Sequence, residues 1–226
     1  MTATGLGRVL EGTLAAASIQ AVVFDLSGVL TTGLREALGS LLDACGVDDG
    51  NHRDRLLSLW GSLYIEASLG RLDPDELWLR LSQRAESSRW PVGREETEFL
   101  SRICLREPAM PETLANLKQR YVLGLLTNHV GRWARSLLQR LKLTTFFEVV
   151  VISSEIGARK PDAVTYLRTC ELLNVSPHCA VYVADEEEDL VGCEAAGMFP
   201  VFIPGEDRHS GVGLPIRNVS DLLNWL

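Results

Sequence analysis

Five short runs rich in Val, Ile, Leu and Phe set the terms for any fold of this chain. They lie at 21–24, 122–126, 148–152, 180–184 and 200–203. Each is close to continuously apolar, the pattern of strands covered on both faces. Segments with helical spacing at 131–143, 161–173 and 187–196 separate the later runs. Strands alternating with helices imply βαβ units and a parallel sheet. The expected fold class is therefore α/β, a doubly wound parallel sheet of Rossmann-like order.

The alternation breaks once, between the first run and the second. Residues 34–107 read as helical almost throughout, with candidates at 34–45 and 53–69. A third opens at Asp73-Pro74-Asp75-Glu76, an acceptor cap followed by Pro at the first helical position and acids in the first turn. A fourth follows Pro91. A structureless loop of about 70 residues is foreign to compact domains, so the segment is expected to be an inserted helical domain. Glu107-Pro108-Ala109-Met110-Pro111 reads as the return linker. The expected organisation is an N-terminal extension at 1–18, a core domain at 19–33 and 108–226, and the helical insertion at 34–107.

Composition narrows the partners. A net charge of −8 over 226 residues argues against a nucleic-acid or anionic-membrane surface. It leaves room for a small anionic ligand held by local groups. The uncharged stretch 12–24 ends in Val-Val-Phe-Asp and reads as a first strand rather than a signal segment. No run reaches the ~20 apolar residues of a membrane-spanning helix. The five cysteines are scattered, without a C-x-x-C pair or a His/Cys cluster. They are expected to be free thiols in a reducing, cytoplasmic setting, and zinc is not expected.

Open parallel sheets bind ligands beyond the carboxyl ends of their strands. Asp25 follows the first run, and Thr127-Asn128-His129 the second. Ser153-Ser154 follows the third, leading to Arg159-Lys160-Pro161-Asp162. Asp185 to Asp189 follow the fourth. One edge thus collects a carboxylate, a hydroxyl, a lysine and an acidic cluster. Asp25 facing an acid from 185–189 calls for a cation between them. Oxygen ligands alone suggest Mg²⁺, which takes one or two carboxylates plus water and substrate phosphate. Lysine and hydroxyl would hold phosphate oxygens, leaving a carboxylate free to attack phosphorus. His129 is expected to be an exposed loop residue. Trp60, Tyr64, Trp78 and Trp90 are expected to form mainly the small core of the insertion.

Four stretches, "FDLSGVL", "LLTN", "GARKPD" and "VADEEEDLVGCEAAGM", resemble the motifs of the haloacid dehalogenase-like (HAD) hydrolase superfamily. The resemblance extends from about residue 21 to the closing segment at 219–226. The helical insertion looks like that family's small cap, and "ASLGRLDPDELWLRL" is similar to a recurrent cap stretch. The resemblance implies Asp25 as nucleophile, Thr127 and Asn128 at the phosphoryl group, and Lys160 neutralising both. It implies metal ligation by Asp25, the Ser27 carbonyl and Asp185, with Asp189 as a supporting acid. Phosphatases of the family commonly carry Asp where this chain has Ser27. General acid–base help is typically worth ~10²–10⁴-fold, so its loss favours substrates with activated leaving groups. The expected function is Mg²⁺-dependent hydrolysis of a small phosphorylated metabolite through an aspartyl-phosphate. Metal-independent dehalogenation and a catalytically idle binding module are the alternatives. Oligomeric state is not readable.

Overall fold

The computed structural model describes residues 18–204 and 211–226. The expected extension at 1–18 lies almost wholly outside them. The centre of the structure is β1 (Ala21–Phe24), a wholly buried strand with parallel neighbours on both sides. Phe24 is in register with Leu125 of β2 (Val122–Thr127) and with Val183 of β4 (Ala180–Ala184). β3 (Val149–Ile152) flanks β2. β5 (Phe199–Phe202) and the two-residue β6 (Leu214–Pro215) extend the other side. The six-stranded sheet is parallel throughout, in the order β3-β2-β1-β4-β5-β6. The expected doubly wound sheet is thus the one that forms, and its order reverses between β1 and β4. β6 was not expected, since two residues carry no readable period.

Strand residues alternate between two cores because successive side chains point to opposite faces. Val22, Phe24, Val181 and Val183 enter one core; Ala21, Val23, Tyr182 and Ala184 enter the other. The second core is closed by Tyr166, Cys170 and Leu190, from the helices that follow β3 and β4.

Five helices lie between β1 and β2. They are α1 (Leu34–Ala44), α2 (Gly50–Ser68), α3 (Pro74–Ala85), α4 (Glu95–Ser101) and α5 (Met110–Lys118). α2 starts earlier than expected because the Asp49 side chain caps it, accepting from Asn51 N at 3.2 Å. α3 starts as expected, with Asp73 accepting from Asp75 N at 2.8 Å and Pro74 in the first turn. α5 occupies part of the stretch expected to be a linker. Pro111 falls in its first turn, where a missing N–H costs nothing, so this proline starts a helix instead of breaking one. The insertion leaves and rejoins the sheet through adjacent segments. Thr32 N donates to Cys104 O at 2.9 Å and Arg106 N to Leu30 O at 3.0 Å.

The tryptophans pack further than the insertion itself. Trp60 stacks on Tyr64 at 4.7 Å, and Trp78 lies 5.3 Å from Phe99. Both groups close on Trp133 of α6 (Gly131–Arg140), the helix after β2. Trp133 Nε1 also donates to Glu96 Oε2 at 2.6 Å. Gly70, after α2, has φ +72° and lies so close to the sheet edge that a Cβ would stand 2.6 Å from Ser154 O. The chain continues through α7 (Ser153–Ile156), α8 (Ala163–Leu173), α9 (Glu187–Ala195) and the terminal α10 (Leu222–Trp225). Among the described residues, no helix is long and apolar enough to cross a membrane.

Trp133 is fully buried where the insertion meets the sheet. Trp133→Ala is expected to lower the unfolding free energy by about 3–5 kcal/mol, read from urea denaturation. Val92→Ala, at a site 79% exposed, should stay within about 0.5 kcal/mol of the wild type.

Candidate active site

The end of β1 points into a cleft of about 440 Å³ at the carboxyl edge of the sheet, beside the reversal in strand order. Asp25, Ser27, Asn128, Lys160, Asp185 and Asp189 all line it. Four separate strand ends thus deliver their polar residues to one place. A second cleft of about 430 Å³, beside His52 and Arg89, receives nothing from any strand end.

Lys160 holds the arrangement together. Its ammonium is 2.8 Å from Asp25 Oδ2, 2.7 Å from Asp189 Oδ2, and donates to the Tyr182 hydroxyl at 2.6 Å. Only 3% of the residue is exposed. Burial alone would lower its pKa, but the carboxylates of Asp189 and Asp25 outweigh that and raise it. Asp189 is also raised, chiefly by burial, with Lys160 opposing and the Asp25 charge adding. The three N–H groups of the ammonium meet three protein acceptors.

The main chain around Lys160 is fixed as well. Its N–H donates to Asn128 Oδ1 at 2.9 Å, and its carbonyl accepts from Asn128 Nδ2 at 3.1 Å. The Asn128 carbonyl accepts from the Tyr64 hydroxyl of α2 at 2.7 Å, so the insertion touches the site directly. Asp162 then caps α8, accepting from Val164 N at 3.1 Å. Tyr166 of that helix donates to Asp189 O at 2.8 Å.

On the other side, Asp25 Oδ1 accepts from Leu26 N at 2.7 Å. Gly28 follows with φ +81°, a conformation that side chains rarely adopt. A Cβ there would stand 2.1 Å from Asp185 Oδ2, so the glycine makes the space this carboxylate fills. Asp25, Ser27 and Asp185 line the same cleft, and among the described residues no group of three or more His, Cys, Asp or Glu side chains could hold a metal ion, so a cation here would also need main-chain, water or substrate oxygens. Each carboxylate oxygen keeps a second lone pair after its protein bond. The Ser27 hydroxyl is buried and has no hydrogen-bond partner among the described residues.

The expected site residue Thr127 and the expected loop residue His129 are both buried. Thr127 is only 1% exposed and is not among the residues lining the cleft. His129, expected in an exposed loop, is fully buried, 6.2 Å from the rings of both Tyr64 and Trp133. Its Nδ1–H faces Val130 O at 3.2 Å, and burial pushes its pKa down to about 4. The loop is roofed by the inserted helices, which no local pattern reports. Tyr182 was not singled out in the sequence. Its one signal is a hydroxyl inside the apolar run of β4.

Comparison with known proteins follows this geometry. The family description "haloacid dehalogenase-like hydrolase" matches residues 19–197. A phosphatase of Mycobacterium tuberculosis is 32% identical over 202 residues, covering 80% of this chain and 85% of that protein. The crystal structure of a HAD phosphatase from Thermococcus onnurineus superposes with a TM-score of 0.70 at 25% identity, covering 91% of this chain and 97% of that one. L-2-haloacid dehalogenase from Xanthobacter autotrophicus shares the fold, with a TM-score of 0.65 at 17% identity and coverage of 91% and 97%.

Removing the ammonium leaves two buried carboxylates facing each other. Lys160→Met is expected to cost about 3–5 kcal/mol at neutral pH, as breaking a buried pair does. A carboxyl raised in the folded state binds its proton more tightly there than when unfolded, so acidification relieves the penalty. Urea denaturation of wild type and variant at pH 7 and pH 4 should show the gap narrowing at the lower pH.

Proposed function

The chain belongs to the haloacid dehalogenase-like hydrolases, and within that family we propose that it is a Mg²⁺-dependent phosphatase of small phosphorylated metabolites. The observation carrying this reading is Asp25, a buried carboxylate held by Lys160 at the strand-order reversal with Asp185 on the same cleft wall. Two carboxylates and a main-chain carbonyl, completed by water and a phosphate oxygen, suit Mg²⁺. Asp25, Asp185 and the Ser27 carbonyl would hold the ion, which supplies charge neutralisation for the phosphoryl group. Asp25 attacks phosphorus with one oxygen, the leaving alkoxide or phenolate departs, and water then releases phosphate from the aspartyl ester.

The surrounding residues serve that attack. Lys160 holds the Asp25 carboxylate in place, and Asn128 keeps Lys160 in place through two main-chain bonds. Asp189 shares the ammonium and fixes it from the far side. Thr127, the last residue of β2, would act at the phosphoryl group beside Asn128. The helices at 34–107 form a cap, with Trp60 and Tyr64 on the cleft wall shielding the reaction from bulk water.

Ser27 gives this reading its sharpest consequence. Without an acid at that place, leaving groups that need protonation are penalised, by about 10²–10⁴-fold in the general case. Aryl and anomeric phosphates should therefore be hydrolysed much faster than simple alkyl phosphates, and Ser27→Asp should narrow the gap. Equal rates for the two classes would refute this account of Ser27. Phosphate release across a metabolite panel should require Mg²⁺, cease with EDTA, and vanish in Asp25→Asn. Activity that survives chelation and releases halide from 2-haloacids would instead support dehalogenation. A protein that turns over neither class is the idle binding module.

A further inference from the structure

Lys160 has no hydrogen left to give. Asp25, Asp189 and Tyr182 already take its three N–H groups. Arg159, the preceding residue, is in the opposite condition. It lines the same cleft. Among the described residues its guanidinium donates to the Ser68 hydroxyl and pairs with no carboxylate. A guanidinium carries five N–H donors in a planar fork, so most of them stay available. The bond to Ser68, a fully buried residue at the end of α2, anchors the side chain against the cleft. Its charge is felt inside, where it opposes the rise in the pKa values of Asp189 and Tyr64.

Five acids share that wall, and its one other guanidinium among the described residues, Arg35, is exposed at the start of α1. Asp25, Asp185, Glu186, Glu188 and Asp189 all face the cleft. An anion entering such a space needs a cation with donors to spare.

We propose that Arg159 binds the anionic group of the substrate in this cleft, adding a guanidinium with free donors beside the fully bonded Lys160. The chemistry is an oxyanion gripped by the guanidinium fork. It belongs either to the phosphoryl group itself or to a carboxylate on the leaving group. The choice between them rests on the phosphatase reading; the anion site does not.

The test measures binding of inorganic phosphate by calorimetry, with Mg²⁺ present. It also measures kcat and KM for p-nitrophenyl phosphate and for a phosphorylated carboxylic acid. Wild type is compared with Arg159→Gln, Arg159→Lys and Ser68→Ala. If Arg159 holds the phosphoryl group, Arg159→Gln weakens phosphate binding and raises both KM values by about tenfold to a hundredfold, with kcat changed far less. Arg159→Lys recovers part of the loss, and Ser68→Ala, which removes the anchor but keeps the guanidinium, loses less than Arg159→Gln. If Arg159 holds the leaving group's carboxylate, only the KM for the phosphorylated acid rises.

Unchanged binding and KM values in Arg159→Gln overturn the proposal. A wild type that binds neither phosphate nor the phosphorylated acid also overturns it. Phosphate binding that depends on Arg159 without any ester hydrolysis would sink the phosphatase reading and leave the anion site standing. Hydrolysis indifferent to Arg159 would do the reverse.

Discussion

One buried ammonium organises the functional edge of this protein. Lys160 sits between a carboxylate at the end of β1, a carboxylate in α9 and a hydroxyl in β4. The first of those elements is far from the other two in sequence. Their mutual position is set by the requirement that each buried charge be compensated. Desolvating a lysine and two aspartates is costly, and the attraction among them offsets this only with close geometry. The contacts of 2.6–2.8 Å meet that condition. Such a cluster is a poor way to gain stability and a good way to hold a carboxylate still.

The scaffold around the cluster makes its geometry possible. A parallel sheet places all carboxyl ends on one side, and the reversal between β1 and β4 opens a gap there. Gly28 clears room for the Asp185 carboxylate that any Cβ would occupy. Asn128 ties the loop after β2 to the main chain of Lys160, and Tyr64 ties that loop to the inserted helices. Electrostatics inside the cleft and packing above it are therefore mechanically connected.

Much of this was legible in the sequence, for physical reasons. Strands buried on both faces must be apolar throughout, so Ala21–Phe24 and Ala180–Ala184 stand out within their boundaries. Topology then assigns the residues after each strand to a common edge, which is how Asp25, Asn128, Lys160 and Asp185 were anticipated together. What stayed hidden depends on contacts between distant segments. Tyr182 meets Lys160 across 22 positions, and Tyr64 meets Asn128 across 64. Nothing local distinguishes those tyrosines from ordinary core residues. His129 was misjudged for the same reason, since its burial is imposed by helices encoded far upstream. Pro111 misled through its usual role as a breaker, when its position in a first turn suits a helix.

The paired segments at the base of the insertion carry a consequence for how such a chain can change over time. Leu30–Thr32 and Cys104–Arg106 are hydrogen-bonded side by side, so the two ends of the inserted stretch stay together whatever lies between them. That closed base fixes where the chain leaves and rejoins the sheet. Arg106 completes it by donating to the carbonyls of Gly28 and Pro204, locking it to the loop beyond Asp25. A stretch with fixed, adjacent ends can be lengthened, shortened or exchanged without shifting strand register. Chemistry at the edge and selection above it are thereby free to diverge at different rates, the one confined to a few strand-end residues, the other spread over a replaceable roof.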